Sequence, residues 1–132
     1  MRKRTVYIVL SMILGSMALF LLSGCSGDDA KAVRVEYSPG DYFTTNVAGE
    51  SYHLLKVAPV LVVNKEGLDD TLKAQNATIR DTIIFILRDL TEADIKAPGN
   101  QDELRGRIVT ALNERLGVDY FVEVIFNDFV MG

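Results

Sequence analysis

The chain has 132 residues, with 14 Lys and Arg against 18 Asp and Glu, which leaves room for one small domain with one core once an N-terminal leader is set aside. Arg2, Lys3 and Arg4 are the only charges before Asp28, so the remainder holds 11 basic and 18 acidic residues, a formal charge of −7. That balance argues against nucleic-acid backbones and anionic lipid headgroups as partners, and a single cysteine excludes an internal disulfide.

Residues 1–25 read as a membrane anchor or a lipoprotein signal peptide. Three cations precede an uncharged run from Val6 to Leu22, about 17 residues, the short end of what spans ~30 Å of hydrocarbon as a helix. The basic flank holds the N-terminus in the cytoplasm and sends the rest outward. The run stops at Leu22-Ser23-Gly24-Cys25, which resembles a bacterial lipobox, where cleavage leaves a lipidated Cys25 at the new N-terminus. Two alternatives stay open: an uncleaved helix, or Cys25 simply ending that helix among ordinary small residues.

Residues 26–40 have the composition of a tether. Ser26-Gly27-Asp28-Asp29 has no apolar content, and Val33, Val35 and Tyr37 alternate with polar residues over a length that suits only a short edge strand. Fully extended, this stretch reaches at most ~50 Å. The domain proper is expected over 41–132.

Asp41 to Asn64 reads as a β-hairpin, with strand formers from Tyr42 to Val47, a turn at Ala48-Gly49-Glu50-Ser51, and a longer return strand from Tyr52 to Asn64. Val57, Leu61 and Val63 share one face of that strand and Ala58, Val60 and Val62 the other, so cover is expected on both sides. Pro59 lacks an N–H and belongs at a bulge or an unpaired edge position.

Glu66 to Leu90 is helical in two pieces. The first surrounds Leu68 and Leu72 and ends near Gln75-Asn76; the second starts with Thr78 as N-cap and Asp81 facing the free N–H groups of its first turn. Ile79, Ile83, Ile86, Leu87 and Leu90 form one helical stripe. Ile84 and Phe85 fall outside it, which makes this helix either a sandwiched core element or one that docks on a second subunit through those two residues. Thr91 to Gly99 reads as a connector. Asn100 is expected to cap a third helix, Gln101 to Leu116, with Glu103 at the box position and Gly117 as its stop. Leu104, Ile108, Ala111 and Leu112 form its inner face, while Arg105, Arg107, Asn113 and Glu114 point elsewhere. The chain closes with a strand from Asp119 to Met131, with Tyr120, Val122, Val124 and Phe126 on one face and Phe121, Ile125 and Phe129 on the other, expected to pair with the Tyr52 to Asn64 strand. The fold class is therefore α+β: a small antiparallel sheet packed with helices, preceded by an N-terminal hydrophobic helix.

Chemistry-bearing patterns are sparse. His53 is the sole histidine and sits beside a hairpin turn, which suits a surface or cross-strand role better than catalysis. One His and one Cys do not make a metal site, and the sequence contains no calcium loop. Asp69-Asp70 and Asp102-Glu103 suit helix N-termini and Asp28-Asp29 a solvated tether. Pro98-Gly99-Asn100 is a turn rather than a phosphate loop. Neither a catalytic residue, a cofactor nor a metal ligand is assigned.

The order of elements, with Val62-Val63-Asn64, Ile79-Arg80-Asp81-Thr82-Ile83-Ile84 and Leu87, then Leu104, Ile108 and Asn113, then Val124-Ile125-Phe126-Asn127-Asp128-Phe129-Val130, resembles the flagellar basal-body-associated FliL family from about Ala58 to Val130. The resemblance implies a stomatin/prohibitin-like domain outside the bacterial cell membrane, forming homo-oligomeric rings and contacting flagellar stator proteins. Its members are not enzymes and support motility, so neither a cofactor nor a small-molecule substrate is implied. The Leu22-Ser23-Gly24-Cys25 leader departs from the family's usual retained helix. A second reading from a different class is an envelope lipoprotein that binds a small ligand or another envelope protein, with a pocket lined by Tyr120, Phe121 and Phe126.

Overall fold

A computed structural model describes residues 32–49 and 52–132; the expected anchor, Cys25 and the first part of the tether lie outside the described residues. Four strands and four helices follow in chain order: β1 (Val35–Tyr37), β2 (Phe43–Asn46), β3 (Leu54–Val63), α1 (Asp69–Ala74), α2 (Asn76–Arg88), α3 (Glu92–Lys96), α4 (Asn100–Leu116) and β4 (Phe121–Met131). The class is α+β, with an antiparallel sheet packed against helices. β3 is its axis. One edge pairs with β4 along its length, and the other takes β2 at Leu54 to Val57 and β1 at Leu61 to Val63. The short edge strand, the hairpin and the partnership of the terminal strand all form as the sequence suggests.

Leu55, Val57, Leu61 and Val63 are each 0 % exposed, and they meet the helical stripe Ile79, Ile83, Ile86, Leu87 and Leu90 and the α4 stripe Leu104, Ile108 and Leu112 in one core. Burying a side chain of this kind contributes ~1.5–3 kcal/mol relative to exposure. The opposite face of β3 carries no second layer among the described residues, contrary to the expected cover on both sides. Ala58 and Val60 are half-buried there. Val62 is fully buried because Glu36 and Glu123 flank it in register and Arg34 reaches across β3 to Glu123. Long charged side chains cover that residue in place of a helix, their stems lying on apolar surface.

The terminal strand departs from simple alternation. Register shifts fall between Ala58 and Pro59 and between Val62 and Val63, so β4 carries an extra residue at Asn127 and another at Val122. Each bulge re-aims the side chains beyond it. The residues opposite Leu55, Val57, Pro59, Leu61 and Val63 are Met131, Phe129, Phe126, Val124 and Phe121, and all five pack on the core. Phe121 and Phe129 thus share a face with Val124 and Phe126, while Val122 is 44 % exposed. Pro59 sits at a register shift, where its missing N–H is tolerated.

Three helix starts differ from expectation. α2 begins at Asn76 after Gln75 and has no side-chain cap; Thr78 lies inside the first turn, and its carbonyl accepts from the Thr82 hydroxyl at 2.7 Å. No fresh start is needed because Gln75 bridges the two helices, donating to Thr71 O and accepting from Ile79 N, each at 3.0 Å. Two tyrosines pin that junction: Tyr37 donates to Asn76 Oδ1 at 3.0 Å and Tyr120 to Gln75 Oε1 at 3.1 Å, and burial raises both phenol pKa values. Within the expected connector, Thr91 and Asp94 close a capping box that starts α3. α4 begins one residue early, with Gly99 as N-cap at φ 76° and Asn100 in the first turn rather than capping it. Gly117 does end α4, at φ 64°, a conformation that favours glycine.

Asn113 corrects its expected outward placement. Its side chain donates to Phe121 O at 2.9 Å and accepts from Phe121 N at 3.1 Å, so an amide on α4 stands in for a neighbouring strand at the start of β4. Arg80 makes a comparable tie at the other end of the sheet: it donates to Pro39 O at 2.9 Å and lies over the Phe43 ring at 4.3 Å. A Cβ on Gly40, which sits at φ +147°, would come within 2.1 Å of the Arg80 guanidinium, so only glycine suits that turn. Asn113→Ala leaves both polar groups of Phe121 without their partner and is expected to cost ~1–3 kcal/mol. In thermal unfolding that is a fall in Tm of at least about 4 °C; an unchanged Tm would show that the tie contributes nothing.

Candidate functional site

On α2 the helical period places Arg80, Ile84 and Arg88 on one side and Asp81 and Phe85 on another. The first side leans toward β2, where Arg80 holds Pro39. The second leans toward α4, where Asp81 accepts from Arg115 at 2.6 Å; Asp81 therefore serves a neighbouring helix instead of its own first turn. Ile84 is half-buried against the core. Phe85 is 65 % exposed. The two residues the sequence singles out are adjacent in the chain but do not form one patch.

Phe85 stands at the mouth of a groove of about 340 Å³ between α2 and α4, walled by Thr82, Ile86 and Ala111 and rimmed by Glu114 and Arg115. The Thr82 hydroxyl is already spent on Thr78 O, so the groove offers apolar surface with charge only at its edge. The Asp81–Arg115 pair at that rim is exposed on both sides and contributes ~0–1 kcal/mol. Such a groove suits an apolar side chain.

The outer face of the sheet is the other apolar surface. Leu54 and Val130 are 47 % and 50 % exposed, and Tyr42 lies beneath Lys56 Nζ at 3.8 Å. Tyr120 and Phe121, suggested as pocket walls for a ligand-binding lipoprotein, are instead buried in the core, and Phe126 stacks on Phe129 at 5.3 Å between centroids. His53 Nδ1 lies 3.4 Å from Glu92 Oε2 in an exposed position. Among the described residues no group of His, Cys, Asp and Glu could hold a metal ion, and no helix is long and apolar enough to cross a membrane. Sequence reading could not place Arg115 beside Asp81, 34 residues away, since only the packing of α2 on α4 brings them together.

Residues 37–131 match the family model described as flagellar basal body-associated protein FliL. No curated protein sequence matches the chain significantly.

The groove separates two kinds of α2 residue. Phe85→Asp is expected to change monomer stability by no more than about 0.5 kcal/mol, as for an exposed position, whereas Ile86→Ala should cost ~2–5 kcal/mol. Denaturant unfolding of the two variants checks this, and a large loss for Phe85→Asp would make Phe85 a core residue.

Proposed function

The chain belongs to the flagellar basal body-associated FliL family, a non-enzymatic accessory family, and from that premise we propose that it is a membrane-tethered, extracytoplasmic protein that self-associates beside the flagellar stator and supports torque. The observation that carries this reading is Phe85. A large aromatic is left 65 % exposed beside an apolar groove, on a domain whose other helical apolar residues are mostly consumed by the core. Apolar surface of this kind is a normal mark of a protein interface. Phe85 and the groove lie in one patch, so two copies can associate there by each setting its ring against the other's groove.

Tethering rests on the leader. The uncharged run from Val6 to Leu22, with its basic flank, sets the outward orientation whether the helix is kept or Cys25 is lipidated. The tether then limits the distance between the domain and the bilayer, keeping it within reach of membrane-embedded stator units. Retention of the helix permits contacts inside the bilayer; lipidation of Cys25 restricts contacts to the exported domain.

Deleting the protein should leave cells flagellated but slow in viscous medium, where torque limits swimming. Normal speed at every viscosity would overturn the motor role. In cells that produce the protein, Cys25→Ser should accumulate a heavier, uncleaved precursor if the cysteine is lipidated; identical mass and processing would assign the leader as a retained helix.

A further inference from the structure

β2 has one edge in the sheet and one outside it. Val47 N donates to His53 O at 3.0 Å, and the register runs Phe43↔Val57, Thr44↔Lys56, Thr45↔Leu55 and Asn46↔Leu54. In an antiparallel ladder the hydrogen-bonded pairs alternate, so Phe43, Thr45 and Val47 turn their backbone groups toward β3. Thr44 and Asn46 turn theirs away from it. Ala48 is next in that outward series, and its N–H already bonds Leu90 O at 2.8 Å, where Thr91 forms a parallel bridge with it. The chain thus lays one extended residue on this edge and then leaves it, since the residues before Leu90 belong to α2. Among the described residues no hydrogen bond reaches the outward groups of Thr44 and Asn46.

Side chains around this edge favour one kind of occupant. A recess of about 540 Å³ runs along Thr44 to Gly49 and is bounded by Leu54 and Arg88. Arg88 closes the last turn of α2, where a cation is favoured by the helix dipole. Its guanidinium carries five donors, yet among the described residues it has no ion pair or hydrogen bond. The Thr45 hydroxyl, on a residue 7 % exposed, is also without a partner among them. The other long open edge of the molecule, β4, is interrupted by two register shifts, so it does not offer a second copy a regular ladder.

We propose that the open edge of β2 is a docking site for an extended, acidic peptide segment of another protein. The segment adds to the sheet through backbone hydrogen bonds at Thr44 and Asn46 and sets a carboxylate on Arg88. Strand addition of this kind takes its affinity from the main chain and its specificity from the side chains at alternate positions, and here the specifying group is the Arg88 guanidinium, which is without a partner among the described residues. The site lies on the β2 side of α2, apart from the Phe85 groove, so a copy of the domain engaged at Phe85 keeps this edge available.

The test uses the full chain in detergent micelles and two capped heptapeptides of alternating Val and Thr, one with two Glu and one with two Lys in their place. The acidic peptide should bind and shift the amide resonances of Thr44 and Asn46, with the lysine peptide at least about tenfold weaker. Arg88→Glu should weaken acidic-peptide binding at least about tenfold, as expected for loss of a charge-assisted bond, and Arg88→Lys should retain part of it. Asn46→Pro removes an outward N–H at a position where the ladder does not use it, and should abolish binding without unfolding the domain. Absence of binding, equal binding of both peptides, or full affinity in Arg88→Glu would overturn the proposal. So would a change in oligomer size in Arg88→Glu without peptide, which would assign the edge to a second copy.

Discussion

The domain depends on β3 being paired along both edges while only one of its faces is closed by helices. A strand in the middle of a sheet finds its backbone partners within the sheet, and β3 does so with β4 on one side and, on the other, with β2 at Leu54 to Val57 and β1 at Leu61 to Val63, leaving a gap at Ala58 to Val60 that includes Pro59, which has no N–H to satisfy. Its helix-facing residues are sealed, with Leu55, Val57, Leu61 and Val63 all fully buried. The other face is left to charged side chains, with Arg34 and Glu123 bridging across Val62. Core and surface are therefore divided by a single sheet, and everything available for partners lies on its outer face, along its edges, or on the outside of the helices.

The ties that hold the helices to this sheet are few and specific. Asn113 clamps α4 to the start of β4, Arg80 clamps α2 to the turn after β1, and two tyrosines from the strand side fix the α1–α2 junction. Asn113 and Arg80 supply partners to the backbone of Phe121 and Pro39, while the tyrosines bond side-chain amides, at a net contribution of ~0.5–1.5 kcal/mol per neutral hydrogen bond. Their combined effect is geometric. With α2 anchored at both its start and its β2 side, its remaining face is held toward α4, and Phe85 stays out of the core.

Local periodicity made most of the elements legible in the sequence. The stripe from Ile79 to Leu90 and that from Leu104 to Leu112 are buried as their spacing implies, because amphipathic helices carry their burial in the spacing itself. Alternation failed on β4, since a bulge adds a residue without any compositional mark; the core set Phe121, Val124, Phe126, Phe129 and Met131 is visible only in the register. The capping box at Thr91 and Asp94 was present in the sequence as a Thr followed three residues later by an acid, but the short α3 it starts had no stripe to support it. The surface was the least legible part. Phe85 stands out as an apolar residue in excess of one stripe, whereas its groove needs Ala111 and Arg115 from another helix, and the open edge beside Arg88 needs the hydrogen-bond parity of β2.

On the proposed reading the protein works by position: a leader that holds it at the membrane, a one-layered sheet, and an apolar projection on α2. The most direct test is to place a photo-crosslinking amino acid at position 85 of the full-length chain in swimming cells and identify the products by mass. The account predicts adducts at multiples of the chain's own mass, formed where flagella are assembled. Absence of any self-adduct at this position, with the protein present and motility intact, would contradict it.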